Sequence, residues 1–196
     1  MAKAFKRKGD RFVARLDRIE REVVAGLLDQ TRDFLAPAAR ADTGDPFDDL
    51  VASMGMPSFQ DATDPRLEGP RDPALERLLP PAHREDEAVA AEFRRLTEHG
   101  LRERKTANLT TARDALLAAE GDKLVLDQAQ AGAMVVALTD VRLLLGERLG
   151  LRTDADAEAL ADRLEEGDDD DPATVLAAYY DFMTWLQESL TQALMA

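Results

Sequence analysis

The opening of the chain alternates apolar and polar positions, and most of the remaining length repeats them at helical spacing. Phe12, Ala14 and Leu16 fall on one face of an extended segment, and Gly9 supplies the permissive backbone of a turn before it. Residues 1–16 are therefore expected to form a β-hairpin. Asp17, with Glu20 three residues on, has the form of a capping box, in which each residue satisfies a free backbone N–H of the other. Ile19, Val23, Leu27, Phe34 and Leu35 then lie near one helical face, and Pro37 ends the helix.

Another pattern governs the middle. Between Ala133 and Leu145, ten of thirteen residues are apolar, with no polar stripe at any helical spacing. A surface helix carries such a stripe, so this segment reads as a central helix with protein on nearly all sides. The run is too short and too often broken by charge to span a bilayer. Asp127 is placed to cap its start, and Gly150 to take the left-handed position past its end. The opening and the centre also resemble each other. Gly9-Asp10-Arg11-Phe12-Val13 precedes Leu16-Asp17, as Gly121-Asp122-Lys123-Leu124-Val125 precedes Leu126-Asp127. An offset of 110 sets Leu28 on Leu138, Arg32 on Arg142, Phe34 on Leu144 and Leu35 on Leu145. This reads as a weak pseudo-repeat of strand and aspartate-capped helix, whose strands would share one small sheet. Chance matching of short apolar stretches is the competing explanation.

Residues 37–72, rich in proline, glycine and aspartate, are expected to be loop around one short helix that Asp45 caps and Gly55 stops. Met54-Gly55-Met56-Pro57-Ser58-Phe59 is an apolar patch inside it, suited to a partner or to the chain's own core. Asp72-Pro73 opens a turn of helix from Ala74 to Leu79. The longest helix, Asp86 to Ala119, carries Val89, Phe93, Leu96, Leu109, Leu116 and Leu117, with a kink expected at Gly100. Thr153 to Glu166 forms a small amphipathic helix, and residues 165–171 an acidic linker. The last helix, Ala173 to Met195, presents Val175, Tyr179, Phe182, Leu186, Leu190 and Ala193 as its apolar stripe. The fold expected over residues 1–196 is mostly α: a single-domain helical bundle around a central apolar helix, with a small N-terminal β-hairpin or sheet.

Composition narrows the chemistry. A chain of 196 residues, 45% hydrophobic, is long enough for one core. It has no cysteine, which removes disulfides, thiolate metal sites, a cysteine nucleophile and a thiol switch. No apolar run follows the basic N-terminus, so neither a signal peptide nor a membrane segment is expected, and the cytoplasm is the expected compartment. Net charge is −14, unevenly spread: residues 1–32 carry nine basic and five acidic side chains, residues 146–196 three basic and thirteen acidic. Such an acidic surface repels phosphate backbones and anionic membranes and attracts basic protein surfaces; solubility alone is the plainer reading.

No catalytic constellation is visible. His83 and His99 have no metal-ligand partner at helical spacing, none of Ser53, Ser58 and Ser189 lies in a nucleophile elbow, and no glycine-rich phosphate loop occurs. No cofactor or metal is therefore expected. Asp168 to Asp171 lack the spacing of a calcium loop and read as solvated. Asp140 and Arg142 interrupt the central helix on different faces, so each needs its own partner if buried. Two structural ion pairs are expected there, with a ligand pocket as the alternative, and Arg32 is their counterpart in the pseudo-repeat. Tyr179, Tyr180, Phe182 and Trp185 crowd the last helix as core aromatics, and an exposed Trp185 would instead be an interaction anchor. Lys3, Lys6, Arg7, Lys8, Arg11 and Arg15 form one basic cluster; Arg94, Arg95, Arg102, Arg104 and Lys105 form a second. Either is a solvated face or a nucleic-acid contact. Gly132 and Gly146 lie on one side of the central helix, where the last helix is expected to pack antiparallel; a homodimer axis is the alternative.

Several phrases taken in order resemble a known family. They are Arg15-Leu16-Asp17; Leu78-Leu79-Pro80 leading to Ala91-Glu92-Phe93-Arg94-Arg95-Leu96-Thr97-Glu98; Ala137-Leu138-Thr139-Asp140-Val141-Arg142-Leu143-Leu144-Leu145-Gly146; and Tyr180-Asp181-Phe182-Met183-Thr184-Trp185-Leu186-Gln187-Glu188. Over nearly its whole length the chain resembles an actinobacterial family of unknown function, commonly encoded beside the adaptor of the Clp protease. The resemblance implies a regulatory protein without catalytic residues, and cysteine-bearing relatives have been regarded as oxidative-stress-responsive transcription regulators. This chain departs from them in having no cysteine. The function expected is non-enzymatic regulation through a protein partner, at the transcription machinery. The alternatives are a small-molecule-binding or hydrolytic domain using Asp140 and Arg142, and a DNA-binding regulator using the basic hairpin.

Overall fold

The computed structural model describes residues 2–36, 72–81, 86–166 and 172–196. In chain order these form β1 (Lys3–Lys8), β2 (Arg11–Arg15), α1 (Arg18–Leu35), α2 (Pro73–Leu78), α3 (Glu87–Leu117), β3 (Lys123–Leu126), α4 (Gln128–Arg148), α5 (Asp154–Glu166) and α6 (Pro172–Met195). The short helix expected after Asp45, the Met54–Phe59 patch, His83 and the Asp168–Asp171 run lie outside the described residues.

The strand-and-capped-helix signature folds twice in the same way. Gly9 and Gly121 both take positive φ, +65° and +56°, a conformation that excludes most side chains. Asp17 Oδ1 accepts from the Glu20 backbone N–H at 2.9 Å while Glu20 Oε2 accepts from Asp17 N–H at 2.8 Å. At the second start Asp127 Oδ1 accepts from Gln130 N–H at 2.9 Å, and Gln130 Oε1 accepts from Asp127 N–H at 3.0 Å. The two strands lie side by side: β2 pairs antiparallel with β3, Phe12 opposite Leu126 and Ala14 opposite Leu124, while β1 flanks β2 on its other edge. Phe5, Phe12, Ala14, Leu124 and Leu126 are buried and turn one face of this three-stranded sheet onto the helices.

Helix α4 is the axis of the bundle. It meets α1, α2, α3, α6 and the inner side of β2 and β3. Ala131, Met134, Ala137, Leu138, Val141 and Leu145 are buried, while Gly132 and Val136 remain exposed as a narrow outward strip. At 21 residues α4 is long and apolar enough to cross a bilayer, which the shorter run Ala133–Leu145 does not suggest; half of the apolar window is buried in the protein. The helix ends in a Schellman motif. Gly150, at φ +76°, donates to Glu147 O at 3.0 Å, and Leu151 N–H donates to Gly146 O at 2.8 Å. Arg77 on α2 reaches the buried carboxylate of Glu147 at 2.9 Å and also donates to Leu151 O, locking α2 beside this terminus.

Three expected apolar faces are rotated or shortened. On α1 the buried stripe is Val24, Leu27, Leu28, Thr31 and Leu35, and Ile19 is 71% exposed, off the side that packs on α3 and α4. On α3 the C-terminal half enters the core through Leu109, Ala112, Ala115 and Leu116, and the N-terminal half buries Ala90 and sets Leu101 at the core's edge; Val89, Phe93, Leu96 and Leu117 are exposed. Helix α3 runs unbroken through Gly100 as one 31-residue helix. On α6 the core side is Ala177, Met183, Leu186, Leu190 and Ala193, with Val175 exposed and Tyr179 and Phe182 at its flank. A sequence stripe reports which positions can share a face. Which face is covered depends on where the neighbours lie.

Candidate interaction surface

The side of the sheet away from the core is cationic. Register sets Lys8 opposite Arg11, Lys6 opposite Val13, which in turn faces Val125, and Lys3 opposite Arg15, which in turn faces Lys123. Because residues directly opposite share a face, Lys3, Lys6, Lys8, Arg11, Arg15 and Lys123 all point outward with Val13 and Val125 between them. The irregularity of β1 between Lys3 and Lys6 keeps both lysines on this side while Phe5 turns inward. Like charges directly opposite destabilise a strand pair, so the arrangement opposes folding. Arg11 lies 3.9 Å from both Asp10 and Asp127 at the margin of the sheet. Among the described residues none of the other five cations forms an ion pair.

Arg7 belongs elsewhere. It stands opposite Phe12, hence on the inner side beyond the core, and its Nε donates to Gly9 O at 3.1 Å within the turn. The second basic cluster is likewise not one surface. Arg102 turns inward to pair with Glu98 at 2.8 Å and to donate to Leu35 O, closing the C-terminal end of α1. Lys105 turns inward to Asp140. Arg104 is exposed; together with Arg94 it borders a cavity of about 300 Å³ whose apolar side is Leu79, Phe93 and Leu101. Arg95 follows Arg94 on the same helix.

Asp140 and Arg142 do face different neighbours. Asp140 is 1% exposed and ion-paired with Lys105 of α3. Burial pushes its carboxyl above the usual carboxylate range, and the Lys105 ammonium pulls it part of the way back. The ion pair expected for Arg142 is replaced by a neutral network between α4 and α6. Its Nη1 donates to Gln187 Oε1 at 2.8 Å, its Nη2 to the Tyr180 hydroxyl at 3.4 Å, and the guanidinium lies 5.3 Å from the Tyr180 ring centre. Gln187 donates in turn to Thr139 Oγ1 at 2.6 Å and to Val135 O at 3.3 Å. Numbers rising on α4 meet numbers falling on α6, so the two helices are antiparallel. Gly146 lies against Tyr180 of α6, where an added Cβ would be 3.6 Å from the ring; Gly132 faces open space and contributes nothing to that interface.

Arg32 pairs with Asp29 at 2.8 Å and Asp33 at 3.0 Å on the surface of its own helix. Trp185 is 36% exposed and stacks on Phe182 with ring centres 5.8 Å apart. One helical turn further on, Ser189 accepts a hydrogen bond from Phe5 N–H at 3.3 Å, so this flank of α6 carries β1. His99 lies 3.3 Å from Glu103, one turn along α3. Among the described residues no group of three or more histidine, aspartate and glutamate side chains is gathered to hold a metal ion.

Residues 2–194 match the family described as a domain of unknown function, DUF2017. The chain belongs to that family. No curated protein and no solved structure matches it. On this DUF2017 fold the surface residues missed by sequence reading are Lys123, Val13 and Val125. Their signal lies in the strand part of the pseudo-repeat: at an offset of 112, two more than in the helices, Arg11-Phe12-Val13 aligns with Lys123-Leu124-Val125, which gives both strands the same outward pattern of cation and valine.

Proposed function

We propose that this DUF2017 chain is a non-enzymatic cytoplasmic regulator that acts by holding a protein partner, at the transcription machinery. The observation that carries the reading is the outer sheet face. Three opposed like-charge contacts, Lys8 with Arg11, Lys3 with Arg15 and Arg15 with Lys123, work against the sheet they sit on. A face that lowers stability is accounted for by a role in binding. The resemblance to actinobacterial stress regulators supports the regulatory setting, but a thiol switch has no place in a chain without cysteine.

Affinity capture with the full chain from a cytoplasmic lysate, at low and at high salt, tests this reading. A specific protein retained at low salt and released at high salt supports it; no specific partner at either salt overturns it. Direct DNA binding is the second reading, favoured by the same cations. It requires duplex binding whose affinity falls steeply with salt. Arg102 and Lys105, which would widen such a contact, are already engaged by Glu98 and Asp140. Against a hydrolytic or small-molecule site on Asp140 and Arg142 stands their geometry, since each is directed to a different helix.

A further inference from the structure

We infer that the outer face of the sheet is a docking site for an acidic amphipathic helix of the partner protein. The inference rests on the protein-contact reading above and adds the surface and the chemistry of what covers it. Val13 and Val125 stand opposite each other on neighbouring strands, and Val125 is 41% exposed. Around them lie Lys6, Lys8, Arg11, Arg15, Lys123 and Lys3. Among the described residues the carboxylates beside this face stand where the strands end, at Asp10, Glu120, Asp122 and Asp127.

Strand spacing makes this face about 10 Å wide across three strands and about 14 Å long from Arg11 to Arg15. A helix is about 10–12 Å in diameter and rises 5.4 Å per turn, so two to three turns cover it. An apolar centre inside a charged rim is the layout of a protein interface. A nucleic acid would set phosphates over the valine pair, and among the described residues the face carries no aromatic ring on which a base could stack. Among the described residues of this face an anionic bilayer would find no apolar side chain larger than valine to insert. A helix with leucine, isoleucine or valine along one stripe and glutamate or aspartate on both flanks satisfies the centre and the rim together. Steering by the opposite charges would speed its encounter.

The test uses the full chain and a labelled designed peptide of about 20 residues, helical, with a leucine stripe between glutamate flanks. A permuted peptide of the same composition without the stripe, a short DNA duplex and phosphatidylserine vesicles are titrated alongside. The amphipathic peptide should bind roughly tenfold tighter than the permuted one, and more tightly than duplex or vesicles. Lys6→Glu with Lys123→Glu should weaken it roughly tenfold. Val125→Asn should weaken it several-fold while leaving the salt dependence unchanged. Lys6→Gln with Lys123→Gln, which removes repulsion without adding charge, provides the same reading should the glutamate variant misfold.

Equal binding of both peptides would reduce the face to a counter-charge and overturn the inference. Tighter binding of duplex or of vesicles would assign it to nucleic acid or lipid instead, and unchanged binding in the variants would move the contact elsewhere. If the peptide fails while lysate capture still retains a specific partner, this inference falls and the proposed function stands. If capture finds none while the peptide binds as described, the regulatory reading falls and the docking chemistry remains.

Discussion

The two strand-and-helix units begin alike and end differently. β2–α1 and β3–α4 share a positive-φ glycine, an aspartate capping box and matched buried positions, Val24 with Met134, Leu28 with Leu138 and Leu35 with Leu145. Yet α1 is covered on one side, and α4 is packed on most of its circumference. The difference is carried by positions that the offset of 110 equates. Gln30 is exposed on α1, whereas Asp140 in the same place on α4 is buried against Lys105. Arg32 pairs within its own helix, whereas Arg142 crosses to α6. Local sequence sets how a helix starts, and the number of neighbours sets what its polar residues must do. The same side chain is ornament on one unit and cross-link on the other.

The largest effect should come from the position where the units diverge most. Lys105→Met leaves Asp140 buried without its cation, which should cost about 3–5 kcal/mol in urea unfolding. Gln30→Ala should stay within about 0.5 kcal/mol. The Lys105→Met penalty should also depend on pH. Asp140 has a raised folded pKa because burial disfavours its charge, and the variant loses the ammonium that opposes this. A carboxyl whose folded pKa exceeds its unfolded value stabilises the fold when protonated and loses that contribution as pH rises through the folded pKa. Lowering the pH from about 8 to about 5 should therefore narrow the gap between variant and parent. A gap that widens on acidification would mean that Asp140 is ionised without strain.

The caps test where the units agree. Asp17→Ala and Asp127→Ala should each cost about 0.5–2 kcal/mol, with similar values measured by thermal unfolding. A large disparity would break the equivalence of the two starts. Next come the paired arginines. Arg142→Ala removes a half-buried donor from Gln187 and Tyr180 and should cost about 1 kcal/mol, against about 0.3 kcal/mol for Arg32→Ala. Equal small values would show the α4–α6 network to be as solvent-screened as the surface pair. The smallest effect is a gain. Nothing lies within 4 Å of a Cβ added at Gly132 on α4 or Gly26 on α1, so alanine at either should raise stability by about 0.5–1 kcal/mol. A loss at Gly132 alone, accompanied by a change of sedimentation coefficient, would indicate that a second subunit covers that strip.

What the sequence determined by itself is local and periodic. Capping boxes, helix-stop glycines and the inward alternation of Phe12, Ala14 and Leu16 depend on residues within a few positions of one another, so reading them needs no neighbour. The three-stranded sheet was half legible, because the pseudo-repeat paired two strands by likeness before any register was known. Tertiary structure decided the rest. It chose which side of α1, α3 and α6 is covered, so that Ile19, Phe93 and Val175 face outward despite fitting an apolar stripe. It sent Arg102 and Lys105 inward from what reads as a surface cluster, because Glu98, the end of α1 and Asp140 lie where those side chains reach. It also gathered Lys123 with the hairpin lysines across more than a hundred residues of chain, since strand pairing converts sequence distance into a spacing of about 5 Å. Burial and electrostatics depend on what lies across the fold, and a linear pattern carries the period of an element without its orientation.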